Sequence, residues 1–319
     1  MQSQELWNQF SPGPIQTLDN YASGISLNIL RLDLLQSWSS GNKYYKLKYP
    51  LQNVLKNNIR TIVSKGGMFS NHLAALAEAC YAFHIQLVCI VRSFVPDEHN
   101  PTIRKLKELN VIVEYVTPEE YDQIDQEMAD ERFPDAFFIP EGGLSPDGLR
   151  GAAEISDEIK SSGFNHILIA GGSMCTACGL IKSLPEGSHL HIVPAWKGCS
   201  PDYIQTILSA NNIQPVCHWD IWPDYHVGGF GKFNRELIDF MTAFTSSTGI
   251  VLDPVYTGKL LMAVTDKIKN LYFSEQDSVL AIHTGGLQGL AGYAYRFPED
   301  WMGYLALAEE LLLIGRNDD

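Results

Sequence analysis

The sequence predicts an α/β protein of two domains, each built on an open, mostly parallel sheet with helices on both sides. Two observations carry this reading. The chain has 319 residues, more than a single compact core ordinarily encloses. Short β-branched or apolar runs alternate along it with segments of helical periodicity. A third observation, glycine-bearing loops that follow several of these runs, places the functional site. In open α/β sheets ligands bind at the carboxyl ends of the strands.

The strand-like runs are Thr61–Val63, Gln86–Val91, Val111–Val113, Phe137–Ile139, His166–Ile169 and Val279–Ile282. Helical patterns lie between them: Leu73, Leu76, Ala77 and Cys80 share one face, and Leu149, Ala152, Ile155 and Ile159 share another. Hydrophobic residues make up 45% and charged residues 19%, an ordinary globular balance with no sign of disorder. The formal net charge of −14 argues against nucleic acid or an anionic membrane as partner, but not against a small anion held by backbone N–H groups. No apolar run approaches the ~20 residues needed to span a bilayer. The opening MQSQELWNQFSPGP lacks the basic and apolar regions of a signal peptide, so a cytoplasmic location is the expectation. The six cysteines are scattered and several sit in apolar runs, as buried reduced thiols do.

Four loops follow strands: Gly66-Gly67 leading to Ser70-Asn71, Glu141-Gly142-Gly143, Gly171-Gly172-Ser173 and Thr284-Gly285-Gly286. One glycine after a strand is usually only a turn. Four in one βαβ chain suggest an anion bound by N–H groups at helix starts. The loop Ala170–Gly179 has neither the spaced glycines of a dinucleotide fingerprint nor the Lys-Ser/Thr pair of a Walker loop. It suits a single phosphate, with the Ser173 and Thr176 hydroxyls and the intervening N–H groups as donors. Cys175-x-x-Cys178 within it lacks a second pair or a suitable histidine spacing for zinc. These cysteines read as packing residues, and no metal is expected.

Five segments together resemble a known family: Gly41-Asn42-Lys43 followed by Lys46-Leu47; Gly66-Gly67-Met68-Phe69-Ser70-Asn71-His72; the 170–179 loop; Asp253-Pro254-Val255-Tyr256-Thr257-Gly258-Lys259; and His283-Thr284-Gly285-Gly286. The family is the pyridoxal-phosphate (PLP) dependent group containing 1-aminocyclopropane-1-carboxylate (ACC) deaminase and D-cysteine desulfhydrase. The resemblance implies a tryptophan-synthase-β-like, fold type II architecture. A larger PLP-binding domain, 1–44 and 155–319, would carry an inserted small domain, 45–154, with pyridoxal 5'-phosphate in the cleft between them. It also implies a homodimer.

The same resemblance assigns residues. Lys43 is the expected Schiff-base lysine and proton carrier; Lys46, Lys48, Lys65 and Lys259 rival it on composition alone. Asn71 would meet the cofactor's ring hydroxyl. Ser70 would bind the substrate carboxylate at a helix start, a place it would also occupy as a plain N-cap, and His72 lies next to them. Gly172, Ser173, Met174, Cys175 and Thr176 would surround the phosphate, although Met174 and Cys175 stand where relatives often have glycine or small residues. Tyr256 would act beside the substrate. Thr257 and Thr284 replace the glutamate and leucine of the deaminases, and resemble the desulfhydrases: a neutral hydroxyl at the ring makes a weaker electron sink, sufficient to expel a good leaving group such as thiolate. Phe230 stands in place of a second active-site tyrosine, and a hydroxyl is lost with it. The expected reaction is α,β-elimination from D-cysteine. ACC ring opening, a PLP-binding protein with little catalysis, and a nucleotide-binding Rossmann-like enzyme are the alternatives.

Overall fold

A computed structural model describes residues 13–35 and 39–314. The strands fall into two sheets. The larger has the order β1-β2-β10-β7-β8-β9, with β1 Ile15–Ala22, β2 Ile25–Arg31, β7 His166–Gly171, β8 His189–Pro194, β9 His218–Ile221 and β10 Val279–His283. All its neighbours run parallel except the β1–β2 hairpin. The smaller sheet is wholly parallel with the order β5-β4-β3-β6: β3 Thr61–Gly67, β4 Gln86–Arg92, β5 Ile112–Val116 and β6 Ala136–Ile139. All four of its strands fall within 45–154.

Both sheets are covered on both faces, as parallel sheets require. In β7, Ile167 and Ile169 enter one core, shared with helices Pro146–Ala153, Cys175–Ser183 and Pro201–Ala210. Leu168 and Ala170 enter the other, shared with helices Arg235–Thr248, Thr257–Lys269 and Pro298–Ile314. This period-two division is what predicts a strand buried on both sides. The six strand-like runs of the sequence all lie on or against strands, with Val111–Val113 displaced to Ile112–Val116. The hairpin Ile15–Arg31 is new. Its turn is Ser23-Gly24, both at positive φ, the backbone that matches hairpin twist.

Helix Asn42–Lys56 joins the two cores. Tyr44 and Tyr45 in its first turn pack into the core of the larger sheet, whereas Leu47, Leu51 and Val54 pack into that of the smaller. Against its first turns lies helix Pro146–Ala153, which in turn packs on Cys175–Ser183. Glycines set both separations. A Cβ on Gly151 would lie 1.8 Å from the Tyr45 carbonyl oxygen, and one on Gly179 would lie 2.7 Å from Ala152 Cβ. These contacts lock the start of the Lys43 helix to the helix behind the 170–174 loop.

Gly151→Ala tests that coupling. Alanine improves helix propensity by ~1 kcal/mol, but here it meets a backbone oxygen that has nowhere to go. The clash wins, and urea unfolding is expected to show a net destabilisation of about 1–3 kcal/mol.

Candidate active site

The carboxyl ends of β3, β7 and β10, together with the loop after β6, open on one cavity of about 590 Å³. Its wall brings together Lys43, Ser70, Asn71, His72, Gly172, Ser173, Met174, Thr176, Phe230, Tyr256 and Thr284. Two residues named from the sequence, Cys175 and Thr257, are not on that wall.

Lys43 is the second residue of helix Asn42–Lys56. The preceding Gly41 has φ 71°, and its α-carbon is pressed against the Thr284 carbonyl, 2.2 Å from where a Cβ would stand. Only glycine allows this approach. The Asn42 N–H donates to that carbonyl at 3.1 Å, and Asn42 Nδ2 donates to Thr176 Oγ1 at 2.9 Å. Lys43 is thus held between the 284–286 loop and the 172–176 loop. Its Nζ has one protein contact, to Asn42 Oδ1 at 3.2 Å, and no carboxylate partner among the described residues. Burial, with the neighbouring Lys46 ammonium, pulls its pKa down to about 7, so a large fraction is free base near neutrality.

The rival lysines are all committed elsewhere. Lys259 Nζ spends its three protons on the carbonyls of Ala195, His226 and Gly229, at 3.3, 2.8 and 2.7 Å, and so pins the 226–229 loop. Lys48 pairs with Glu154 at 2.6 Å. Lys65 donates to the carbonyls of Tyr121 and Ile124 at 3.0 and 2.5 Å. Lys46 lines the cavity and donates to the Gly142 carbonyl at 3.0 Å. It is 4% exposed, and burial lowers its pKa as well. Its part in the site was not read from the sequence; the signal was its spacing three residues after Lys43, which places both on one helix face.

Ser70 caps helix Asn71–Ala82, accepting from the Leu73 N–H at 3.2 Å. Asn71 Nδ2 lies 3.4 Å from the Gly286 carbonyl, and a Cβ on Gly286 would sit 2.6 Å from that nitrogen. The third residue of the segment, His72, is buried. Ser64 Oγ donates to the Ile139 carbonyl at 2.7 Å, so it must accept from His72 Nε2 at 3.0 Å. That fixes the proton on Nε2 and leaves Nδ1 a bare acceptor, buried and without a partner among the described residues. Burial and the Lys43 and Lys46 charges keep this imidazole neutral, its pKa well below the ordinary value.

The 171–176 loop precedes helix Cys175–Ser183. Met174 has φ 60°, the left-handed region, where a side chain costs about 1 kcal/mol or more. Its side chain turns into the core, and its backbone faces the cavity. Cys175 is buried, with Sγ 3.3 Å from the Gly143 carbonyl, so its thiol is turned away from the cavity. Cys178 is also core. All six cysteines are free and buried. Gly172 is required by Tyr256, whose Cε1 is 3.0 Å from the position of a Cβ. Tyr256 stands edge-on to Phe230 at 6.3 Å between centroids. Phe230 is 52% exposed and so forms the rim rather than the floor.

Thr257 and Thr284 part company. Thr257 Oγ1 donates to Asp253 Oδ2 at 2.7 Å and accepts the Asp253 N–H at 2.8 Å. Asp253 also caps the N–H groups of Val255, Tyr256 and Thr257. The Thr257 hydroxyl is therefore spent on a helix cap and has no proton left for a ring nitrogen. Thr284 lines the cavity, and its hydroxyl has no partner among the described residues.

These features fit a phosphorylated pyridine aldehyde. A near-neutral amine with no ion-pair partner among the described residues faces a loop of N–H groups at a helix start, with the buried Lys46 cation beside them and an orphaned acceptor on His72. The comparisons agree. Residues 7–285 match the model of the pyridoxal-phosphate dependent enzyme family, and the chain belongs to that family. It is 28% identical to a putative ACC deaminase of Thermotoga maritima, covering 89% of this chain and 97% of that protein. It is 30% identical to the mitochondrial bifunctional D-cysteine desulfhydrase/ACC deaminase of Arabidopsis thaliana, over 88% of this chain and 77% of that one. Among solved structures, an ACC deaminase homologue superposes with a TM-score of 0.76 at 23% identity, covering 94% of this chain and 100% of the other. A threonine deaminase of Solanum lycopersicum gives 0.64 at 13%, over 90% and 85%. The architecture is that of a fold type II PLP enzyme, and PLP is its cofactor.

Lys46→Met removes the like charge beside Lys43. The Lys43 pKa is expected to rise from about 7, because the charged amine is no longer penalised by its neighbour. The pH dependence of cofactor attachment to the variant, followed in the visible spectrum, checks the direction: the midpoint moves to higher pH.

Proposed function

We propose that this PLP-dependent enzyme is a lyase or deaminase of small amino acids, and that it catalyses α,β-elimination from D-cysteine to pyruvate, ammonia and hydrogen sulfide. The observation that carries this reading is the set of hydroxyls around the cavity. The wall offers the ring a neutral threonine, Thr284, and no carboxylate from position 257. Relatives named for D-cysteine desulfhydrase activity, such as that of Yersinia pestis at 25% identity over 88% of this chain, support it.

Bound PLP supplies an electron sink for negative charge at the substrate α-carbon. Lys43 Nζ would hold the cofactor and, as a free amine with a pKa of about 7, would take the substrate's α-proton and pass it to the departing thiolate or to the β-carbon of the product. Ser70 and the N–H groups that open helix Asn71–Ala82 bind the substrate carboxylate, where the helix dipole favours an anion. Asn71 orients the cofactor's ring hydroxyl. The N–H groups of 172–176, with the Ser173 hydroxyl, hold its phosphate. Tyr256, held in place by Gly172, stands where it can position the leaving group. Burial raises its pKa, so it donates a proton rather than carrying a charge. Phe230 excludes water at the rim. ACC deamination is the second reading, favoured by the names of the Thermotoga and Pyrococcus relatives.

Purified holoenzyme given D-cysteine is expected to release sulfide and pyruvate in equal amounts; release of 2-oxobutanoate from ACC with no sulfide from D-cysteine would reverse the order of the two readings. Lys43→Ala is expected to lower turnover by roughly 10²–10⁴-fold, the usual worth of a positioned acid–base group, and to abolish the visible band of the attached cofactor. A variant that keeps that band refutes the assignment.

A further inference from the structure

Four of the nine histidines fall towards the amino ends of β7, β8 and β9, the opposite end of β7 from the cofactor cavity. The sheet register brings them together. His166 on β7 is the Cα partner of His189 on β8, which is the partner of His218 on β9. His191 lies two residues beyond His189, on the same face, and its own partner is Asp220. One ring nitrogen from each of His166, His189 and His191 lies within 4.8 Å of the other two.

The carboxylates decide which nitrogens are free. A carboxylate only accepts. His191 Nδ1, 2.7 Å from Asp220 Oδ1, therefore carries a proton. His166 Nε2 faces Asp277 Oδ1 at 3.4 Å and is oriented the same way. The remaining nitrogens, His166 Nδ1 and His191 Nε2, are 2.9 Å apart. With both outer nitrogens protonated towards the carboxylates, the neutral rings would point two lone pairs at each other, an arrangement that either a shared proton or a shared metal cation relieves. His189 Nε2 is a third buried nitrogen without a hydrogen bond among the described residues; Asp220 Oδ2 stands 3.6 Å from it, beyond hydrogen-bond reach. A metal-bound imidazole whose second nitrogen donates to a carboxylate is the arrangement that orients such ligands.

We propose that His166, His189 and His191 form a binding site for a divalent transition metal of the zinc class, with Asp220 and Asp277 holding two of the rings from outside. Three imidazoles select such ions over calcium or magnesium, which prefer oxygen. Ligand nitrogens around tetrahedral zinc stand about 3.3 Å apart for bonds of about 2.0–2.1 Å, so the half-buried His166 ring backs off by a few tenths of an ångström. His191, fully buried against Trp222 at 4.6 Å between centroids, is the fixed ligand. His189, with 34% of its side chain exposed, leaves the fourth position to solvent and gives the ion its way in. The site clips β7 to β8 and takes no part in the cofactor chemistry. It revises the expectation of no metal, which rested on sequence spacing; the ligands are brought together by register between strands.

The test is titration of chelator-treated holoenzyme with zinc chloride, read by calorimetry and by the thermal midpoint. The expected result is one zinc per chain with a raised midpoint. His166→Gln and the more exposed His189→Gln should each weaken binding at least tenfold, Asp220→Asn should weaken it about 10–100-fold, and His99→Gln, on an exposed residue elsewhere, should leave it unchanged. The visible cofactor band verifies that each variant is folded. Failure of the wild type to bind zinc overturns the proposal, as does wild-type affinity retained by both His166→Gln and His189→Gln.

Discussion

The site depends on two lysine amines set a helical turn apart, neither of them ion-paired with a carboxylate among the described residues; Asp253, which acts on Lys43 from a distance, is spent on capping a helix. Taking one ammonium out of water is expensive, and placing two together more so. Lys43 answers by losing its proton near neutrality, and Lys46 by donating to the Gly142 carbonyl. A fold that sought only stability would use apolar residues here. The arrangement makes sense around a ligand that is both an electrophile for one amine and an anion for the other, which a phosphorylated aldehyde is.

The rest of the architecture holds that pair in place. Helix Asn42–Lys56 starts in one core and ends in the other, so Lys43 sits where the two sheets meet. Gly41, Gly151 and Gly179 let three backbones approach more closely than any side chain permits, and the phosphate-side loop, the lysine helix and the 284–286 loop are thereby fixed relative to one another. Catalytic groups held by backbone contacts of this kind need little reorganisation as charge develops.

Much of this was legible in the sequence. The βαβ alternation gave the parallel sheets, because strands buried on both faces appear as continuous apolar runs. The glycine loops gave the cavity, because a ligand that approaches backbone requires them. Other features depended on distance in space. The hairpin at 15–31 was missed because β1 carries mixed polar residues on the exposed edge of the sheet, and the buried run of β2 is interrupted by Ser26 and Asn28. Thr257 was assigned to the cofactor, yet Asp253 four residues earlier is a ready helix cap that claims its hydroxyl; that local signal was present and outweighed by the resemblance. Lys46 read as one lysine among several until burial distinguished it. The histidines of β7 and β8 are more than twenty residues apart in sequence, and only the strand register shows that they face each other.

The central claim is that Lys43, rather than Lys46 or Lys259, carries the cofactor. Reduction of the holoenzyme with borohydride fixes the imine as a secondary amine, and tryptic mapping by mass spectrometry then locates it. The account predicts a pyridoxyl-phosphate adduct on a peptide that runs from Leu32 through an uncleaved Lys43 to Lys46. An adduct on Lys46 or Lys259, with cleavage after Lys43 intact, would contradict it.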